Sequence, residues 1–328
     1  MEGNKGRVCV TGGTGYIGSW TIKRLLENGY SVNTTIRSNS EHKKDLSFLT
    51  SLPGASQNLQ IFNADLDNPE SFGAAIEGCT GVFLVATPVD FEGREPEKVV
   101  TKRAIDGTLG ILKACLNSKT LKRIVYTSSA SAVVLNGKDI EVMDESFWSD
   151  VDYIRSLNSF ADSYSISKTL TEKSALEFAE QHGLDLVTVI PSYVLGPFIC
   201  PKLPGSVHSS LAMVFGNKEQ YNLLINTSMV HVDDVARAHI FLLEHSNPKG
   251  RYNCSSDVLT IEGMSEFLSS KYPNQFPVPT VESVKEIKGP KFPTLSSKKL
   301  LDAGFRFEYG IDEMFDEAIQ CCKEKGYL

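Results

Sequence analysis

The sequence lacks an apolar run long enough to cross a bilayer. Stretches such as Gly81-Val-Phe-Leu-Val-Ala86 fall far short of the ~20 residues a spanning helix needs, so no integral membrane contact is expected. Basic stripes are also missing. The 328 residues carry a net charge of −7, and lysine and arginine cluster at most in pairs such as Lys43-Lys44 and Lys298-Lys299, which excludes the electrostatic footprint of a nucleic-acid binder. The seven cysteines are an odd number without metal-ligand or paired spacing, and Cys321-Cys322 are neighbours whose direct bridging would be strained. Reduced, buried thiols in a cytoplasmic protein and no metal site are the expectation. Met1-Glu-Gly-Asn-Lys-Gly6 has no apolar core of the secretory kind. Repeats and low-complexity segments are lacking too.

What is present is an ordinary globular composition, 41% hydrophobic and 22% charged. Its first half alternates strand and helix signals. Strands are expected at Arg7–Thr11, Ser31–Ile36, Leu59–Phe62, Gly81–Ala86, Arg123–Thr127 and Leu184–Ile190. Helices are expected from Ile17 to Asn28, from Pro69 to near Gly78, from Pro96 to Leu116 and from Ser165 to His182. Alternation with continuously apolar strands means an α/β fold: a Rossmann-type, doubly wound parallel sheet covered on both faces. After Pro191 prolines multiply and the pattern weakens. Residues 1–190, with 229–256 returning, are read as the dinucleotide-binding domain, and 191–228 with 257–328 as a smaller substrate-binding lobe.

Between the first strand and the first helix lies Thr11-Gly-Gly-Thr-Gly-Tyr-Ile-Gly18. Gly12, Gly15 and Gly18 allow a tight turn and close approach of a pyrophosphate, with Thr14, Tyr16 and Ile17 around it, and the helix N-terminus offers unpaired N–H donors. Position after a strand and before a helix makes this a dinucleotide site. The end of the second strand, where an NAD site carries an acid, holds Arg37. A guanidinium suits a 2′-phosphate, with Lys43 and Lys44 adding charge, so NADPH is the expected cofactor. Asp65 either meets the adenine or caps a turn.

Tyr164-Ser-Ile-Ser-Lys168 is the only Tyr-x-x-x-Lys in the chain. Residues four apart share a helix face, and a lysine beside a phenol favours the phenolate. Lys168 is expected to lower the pKa of Tyr164 and hold the nicotinamide ribose, while Tyr164 donates a proton to a carbonyl oxygen. Ser129, in Tyr126-Thr-Ser-Ser-Ala130, would orient that carbonyl at the end of the fifth strand, and Thr87 would line the site after the fourth. His231 and Asp233-Asp234 read as a helix-capping arrangement, Trp20 as core, and Phe305, Phe307 and Tyr309 as packing residues at strand spacing.

Together these motifs resemble an extended short-chain dehydrogenase/reductase, more narrowly the plant dihydroflavonol 4-reductase family. Val8-Cys-Val-Thr-Gly12, Gly15-Tyr-Ile-Gly-Ser-Trp20, Ala86-Thr-Pro88, Tyr164-Ser-Ile-Ser-Lys-Thr-Leu170, His231-Val-Asp-Asp234 and Gly250-Arg-Tyr252 carry the resemblance, which spans essentially the whole chain. Longer stretches, Leu26 to Arg37, Met229 to His239 and Ile319 to Leu328, are similar to its isoflavanone-reducing members.

The resemblance implies a Ser129–Tyr164–Lys168 triad. It also implies that Arg37 and Lys44 contact the 2′-phosphate and that Asp65, Leu66, Val85, Thr87, Pro191 and Ser206 line the cofactor. The implied reaction is stereospecific reduction of a flavonoid ring ketone, a 2′-hydroxyisoflavanone first, by a cytoplasmic enzyme that is often a monomer. Dihydroflavonol reductases present Asn and Gln to the hydroxylated ring where this chain has Val134 and Ser228. A valine cannot hydrogen-bond a hydroxyl, which argues for the isoflavanone over the dihydroflavonol. Ala161-Asp-Ser-Tyr164 lacks the cinnamoyl-CoA reductase signature. The rivals are a dihydroflavonol 4-reductase or other small carbonyl reductase, an NAD-retaining nucleotide-sugar epimerase, which Arg37 disfavours, and a non-catalytic NADP-binding regulator.

Overall fold

The computed structural model describes residues 5–37, 45–87, 95–159 and 161–328. Among the described residues twelve strands form: β1 Arg7–Val10, β2 Ser31–Ile36, β3 Leu59–Asn63, β4 Gly81–Leu84, β5 Arg123–Thr127, β6 Val142–Met143, β7 Leu186–Pro191, β8 Tyr193–Leu195, β9 Asn226–His231, β10 Gly250–Cys254, β11 Asp257–Thr260 and β12 Thr294–Leu295. Seven make one parallel sheet in the order β10-β7-β5-β4-β1-β2-β3. The order reverses between β1 and β4, and a doubly wound sheet opens its ligand crevice at that point.

Alternation along each strand sends neighbours to opposite faces. Val8 and Val10 of β1 join Phe83, Val125 and Val187 in one core, beneath the helices Tyr16–Glu27 and Val232–Glu244. Cys9, Val82, Leu84, Ile124 and Tyr126 point the other way, under Glu97–Leu116 and Asp162–His182. A further core gathers Leu195, Phe198, Met213, Leu224, Met264, Leu268 and Phe315.

The helix Val232–Glu244 packs on the large sheet, and β10 pairs at its edge. Met229–His231 do not join it. They lie in β9, within a second sheet of order β11-β9-β8. The stretch carrying Phe305, Phe307 and Tyr309 is not a strand. Phe305 instead packs edge-on against Phe241 and Phe307, and Tyr309 stacks on His231 at 4.1 Å. Both carboxylate oxygens of Asp234 accept from the backbone N–H groups of Glu308 and Tyr309, so side-chain packing and a carboxylate hold the segment without a strand partner.

All seven cysteines are free and buried. Burial pushes every one of their thiols above the ordinary value. Among the described residues no helix is long and apolar enough to cross a membrane.

Candidate active site

The glycine turn is dictated by contact distances. Gly12 has φ +72°, and a Cβ there would stand 3.0 Å from the Ala86 backbone. A Cβ on Gly18 would lie 2.5 Å from the Gly12 carbonyl oxygen. Gly13, which the motif spacing passes over, is tighter still: its Cβ would fall 2.1 Å from Thr34 Oγ1 and 2.8 Å from Ile22. Gly15 precedes the helix Tyr16–Glu27, is exposed, and gives that helix no side-chain cap. The first N–H groups of the helix are thus available to an anion, and the turn fits a dinucleotide pyrophosphate. Thr14 and Ile17 flank it, partly exposed. The Tyr16 hydroxyl donates to the Gly196 carbonyl at 3.1 Å, tying the turn to the start of the lobe. Thr11 was also passed over: its Oγ1 accepts from the N–H groups of Val85 and Ala86, both at 3.0 Å, fastening the ends of β1 and β4 together.

Arg37 is exposed at the end of β2. Lys44, with Lys43 and Pro88, lies outside the described residues. Asp65 and Leu66 follow β3. Asp65 Oδ1 accepts from the Asp67 N–H at 3.1 Å, so this carboxylate organises its turn, one of the two roles weighed for it. Leu66 sits so close to Gly107 that a Cβ on the glycine would be 2.9 Å away. Val85 packs against the first core, Pro191 ends β7, and Ser206 is half-buried on the short helix Gly205–Ser210.

Ser129, Tyr164 and Lys168 come together where β5 ends. Ser129 has extended backbone and precedes a tight turn at Ala130–Ala132. It hydrogen-bonds Tyr164 and accepts from Ser131 Oγ at 3.0 Å. The Lys168 ammonium donates to Thr87 Oγ1 and to the Thr127 carbonyl, both at 2.9 Å. Burial pulls Lys168 down to about 8, opposed by Glu172. The expected lowering of Tyr164 by Lys168 is not what sets the phenol. Burial raises it, and the hydrogen bond with Ser129 is the influence that lowers it. A raised phenol is protonated at neutral pH, which is the form a proton donor needs. Tyr193 on β8 feels the charge of Tyr164 and so belongs to the same neighbourhood, although no sequence motif marked it.

Val134 lines a cavity of about 260 Å³ with Gly137, Lys138, Tyr153, Lys291 and Phe292. Ser228 is not in that lining. It lies on β9 two residues from Asn226, whose side-chain amide donates to the Phe292 carbonyl at 2.8 Å, and its own hydroxyl is buried without a partner. The cap expected from Asp233-Asp234 is made by His231, whose Nδ1 accepts from the Asp233 N–H at 3.1 Å, with both aspartates in the first turn. Asp233 also accepts from the Trp20 indole at 2.8 Å. Among the described residues no cluster of His, Cys, Asp or Glu could hold a metal ion.

Residues 8–255 match the NAD dependent epimerase/dehydratase family. The chain belongs to that family. Vestitone reductase of Medicago sativa is 62% identical over 328 residues, covering all of both chains. Dihydroflavonol 4-reductase of Arabidopsis thaliana is 46% identical, over all of this chain and 85% of that one. The crystal structure of the alfalfa vestitone reductase superposes with a TM-score of 0.90 at 61% identity, covering 99% of this chain and 100% of that one. The chain therefore shares both fold and length with the alfalfa vestitone reductase.

Proposed function

We propose that this chain is an NADPH-dependent, stereospecific reductase of a flavonoid-type ring ketone, with a 2′-hydroxyisoflavanone as its first substrate. The carrying observation is the meeting of Ser129, Tyr164 and Lys168 at the end of β5, beside a turn that only glycines can make. The 62% identity to vestitone reductase over the full length of both chains supports the ketone class.

In this reading Gly12, Gly15 and Gly18 hold the pyrophosphate. Arg37, with Lys44, takes the 2′-phosphate, and Asp65, Leu66, Val85, Thr87, Pro191 and Ser206 complete the cradle. Bound NADPH supplies the hydride. Ser129 orients the substrate carbonyl, Tyr164 donates the proton to its oxygen, and Lys168 turns from Thr87 towards the ribose. Proton delivery by a positioned group contributes ~10²–10⁴ in rate. Val134 and Ser228 face the substrate from two sides of the Phe292 segment, and the lobe 191–228 with 257–328 supplies most of the substrate walls. Buried, unpaired thiols suit a reducing compartment, so the enzyme is assigned to the cytoplasm, as a monomer.

The test is NADPH oxidation by purified protein, offered a 2′-hydroxyisoflavanone and a dihydroflavonol in parallel, with NADH as control. Faster isoflavanone turnover with NADPH is the expected result. A dihydroflavonol preference would transfer the assignment to dihydroflavonol 4-reductase, and silence with both would remove the ketone reading.

A further inference from the structure

The helix Asp162–His182 presents Tyr164, Lys168 and Glu172 at four-residue steps, so one face carries three ionisable groups in file. The third has no part in the reaction above. Glu172 is wholly buried, and a carboxylate at that depth stays charged only if donors surround it. Ser128 Oγ donates to Oε2 at 2.6 Å, Arg251 Nε to Oε1 at 2.9 Å and Arg251 Nη2 to Oε2 at 3.2 Å. Arg251 also donates to the carbonyls of Glu145, Phe147 and Ala132, and its guanidinium lies 3.5 Å from the centre of the Trp148 ring. One carboxylate thus joins the helix of Tyr164 to β10, to the end of β5 and to the turn that follows Ser129.

We propose that Glu172 is a positioning residue for the catalytic centre, fixing the end of β5 through Ser128 and placing its carboxylate one helical turn from Lys168. The inference rests on the reductase reading. Lys168 is faced by Tyr164 and Glu172 on its own helix and by Tyr126 of β5, whose ring centre is 5.7 Å from the ammonium. Uncharged Thr87 and Thr127 supply its hydrogen bonds. Glu172 is faced by Arg251 from β10 and by Tyr126, which feels its charge. Glu145 and Lys299 lie behind Arg251. Burial pulls the lysine down, and the charge of Glu172 is what opposes it. A glutamine at 172 keeps an acceptor for Ser128 and deletes that charge. An alanine at 128 keeps the charge and cuts the tie.

The experiment measures kcat/KM for ketone reduction against pH, together with NADPH affinity and melting temperature, in wild type, Glu172→Gln and Ser128→Ala. In Glu172→Gln the alkaline limb is expected to move down by about one pH unit, the scale of a neighbouring-charge effect, with activity recovering towards acid pH. In Ser128→Ala the limb stays and kcat falls towards the ~10²-fold loss that an ångström of misplacement brings. A folded Glu172→Gln protein whose limb does not move overturns the charge role, and an unchanged kcat in Ser128→Ala overturns the tie. If Glu172→Gln does not fold, Glu172→Asp replaces it: a limb left in place with lowered kcat supports the inference, and a displaced limb overturns it. Should wild type reduce no ketone, the reductase reading fails by itself. The pH at which NADPH affinity declines then decides the charge role, supporting it if Glu172→Gln lowers that pH and overturning it if not.

Discussion

At the head of the large sheet, Gly12 and Gly13 are enclosed by strand side chains and backbone, and Gly18 by the Gly12 carbonyl, at distances that leave no room for a methyl group. Around the Val134 cavity the walls come from irregular chain, Gly137–Asp139 on one side and residues 290–293 on the other. The second wall is fastened to β9 where the Asn226 side chain meets the Phe292 carbonyl. The first region is specified by sterics among regular elements, so its chemistry can change little without loss of the fold. The second is specified by short segments whose side chains can change while the backbone stays. In the reading proposed above, cofactor and catalytic residues belong to the first, and selectivity among ketones belongs to the second.

The largest expected effect breaks the first region chemically. Tyr164→Phe removes the donor while keeping the ring, and kcat should fall by at least ~10²-fold while NADPH affinity, read by fluorescence titration, stays near wild type. Loss of cofactor binding would instead make the phenol a structural group. Gly13→Ala breaks the same region sterically. The added methyl must displace Thr34 or Ile22, with a cost of about 1–3 kcal/mol visible as a lower denaturation midpoint together with weaker NADPH binding.

Val134→Asn with Ser228→Gln addresses the second region. The double variant should shift the isoflavanone-to-dihydroflavonol ratio of kcat/KM by about tenfold towards the dihydroflavonol, at nearly constant melting temperature. A ratio that holds while stability drops would mean that the two positions belong to the rigid half. A pH dependence probes the sheet and the lobe junction together. His231, at the lobe junction, and His239, hydrogen-bonded to Thr127 at 2.7 Å, are both held down to about 4 by burial. The unfolded chain takes up these protons near pH 6.5 and the folded one only near 4. Stability is therefore full above the upper value and declines as pH falls through that window. Melting temperatures across the window should drop steadily, and a flat profile would count against two neutral imidazoles.

The same division decided what could be read from the sequence. Parallel strands announce themselves because both faces are buried, which is why β1, β2, β4, β5 and β7 stand close to where apolar runs place them. Tyr164 and Lys168 were legible because a helix converts a spacing of four into a shared face. Gly13 and Thr11 were missed because their roles depend on strands that arrive later in the chain, β2 for the glycine and β4 for the threonine. The spacing of Glu172 from Lys168 was in plain view, but Ser128 and Arg251, which give it meaning, are 44 and 79 residues away. Phe305, Phe307 and Tyr309 alternate like a strand and are not one, because their rings found aromatic partners and Asp234 took the N–H groups of Glu308 and Tyr309. The raised phenol of Tyr164 was likewise beyond a spacing argument, since depth in the fold outweighs a neighbouring charge.

The buried thiols have a practical consequence. Cys9, Cys79 and Cys115 pack on one face of the large sheet, while Cys200, Cys321 and Cys322 pack in the core of the lobe. Held above their ordinary pKa, they offer an alkylating reagent little thiolate while the chain is folded. Each cysteine is then a clock started by local opening, and mass spectrometry of modified peptides would time the two regions separately. If the lobe is the softer half, its three thiols will be labelled before those of the sheet.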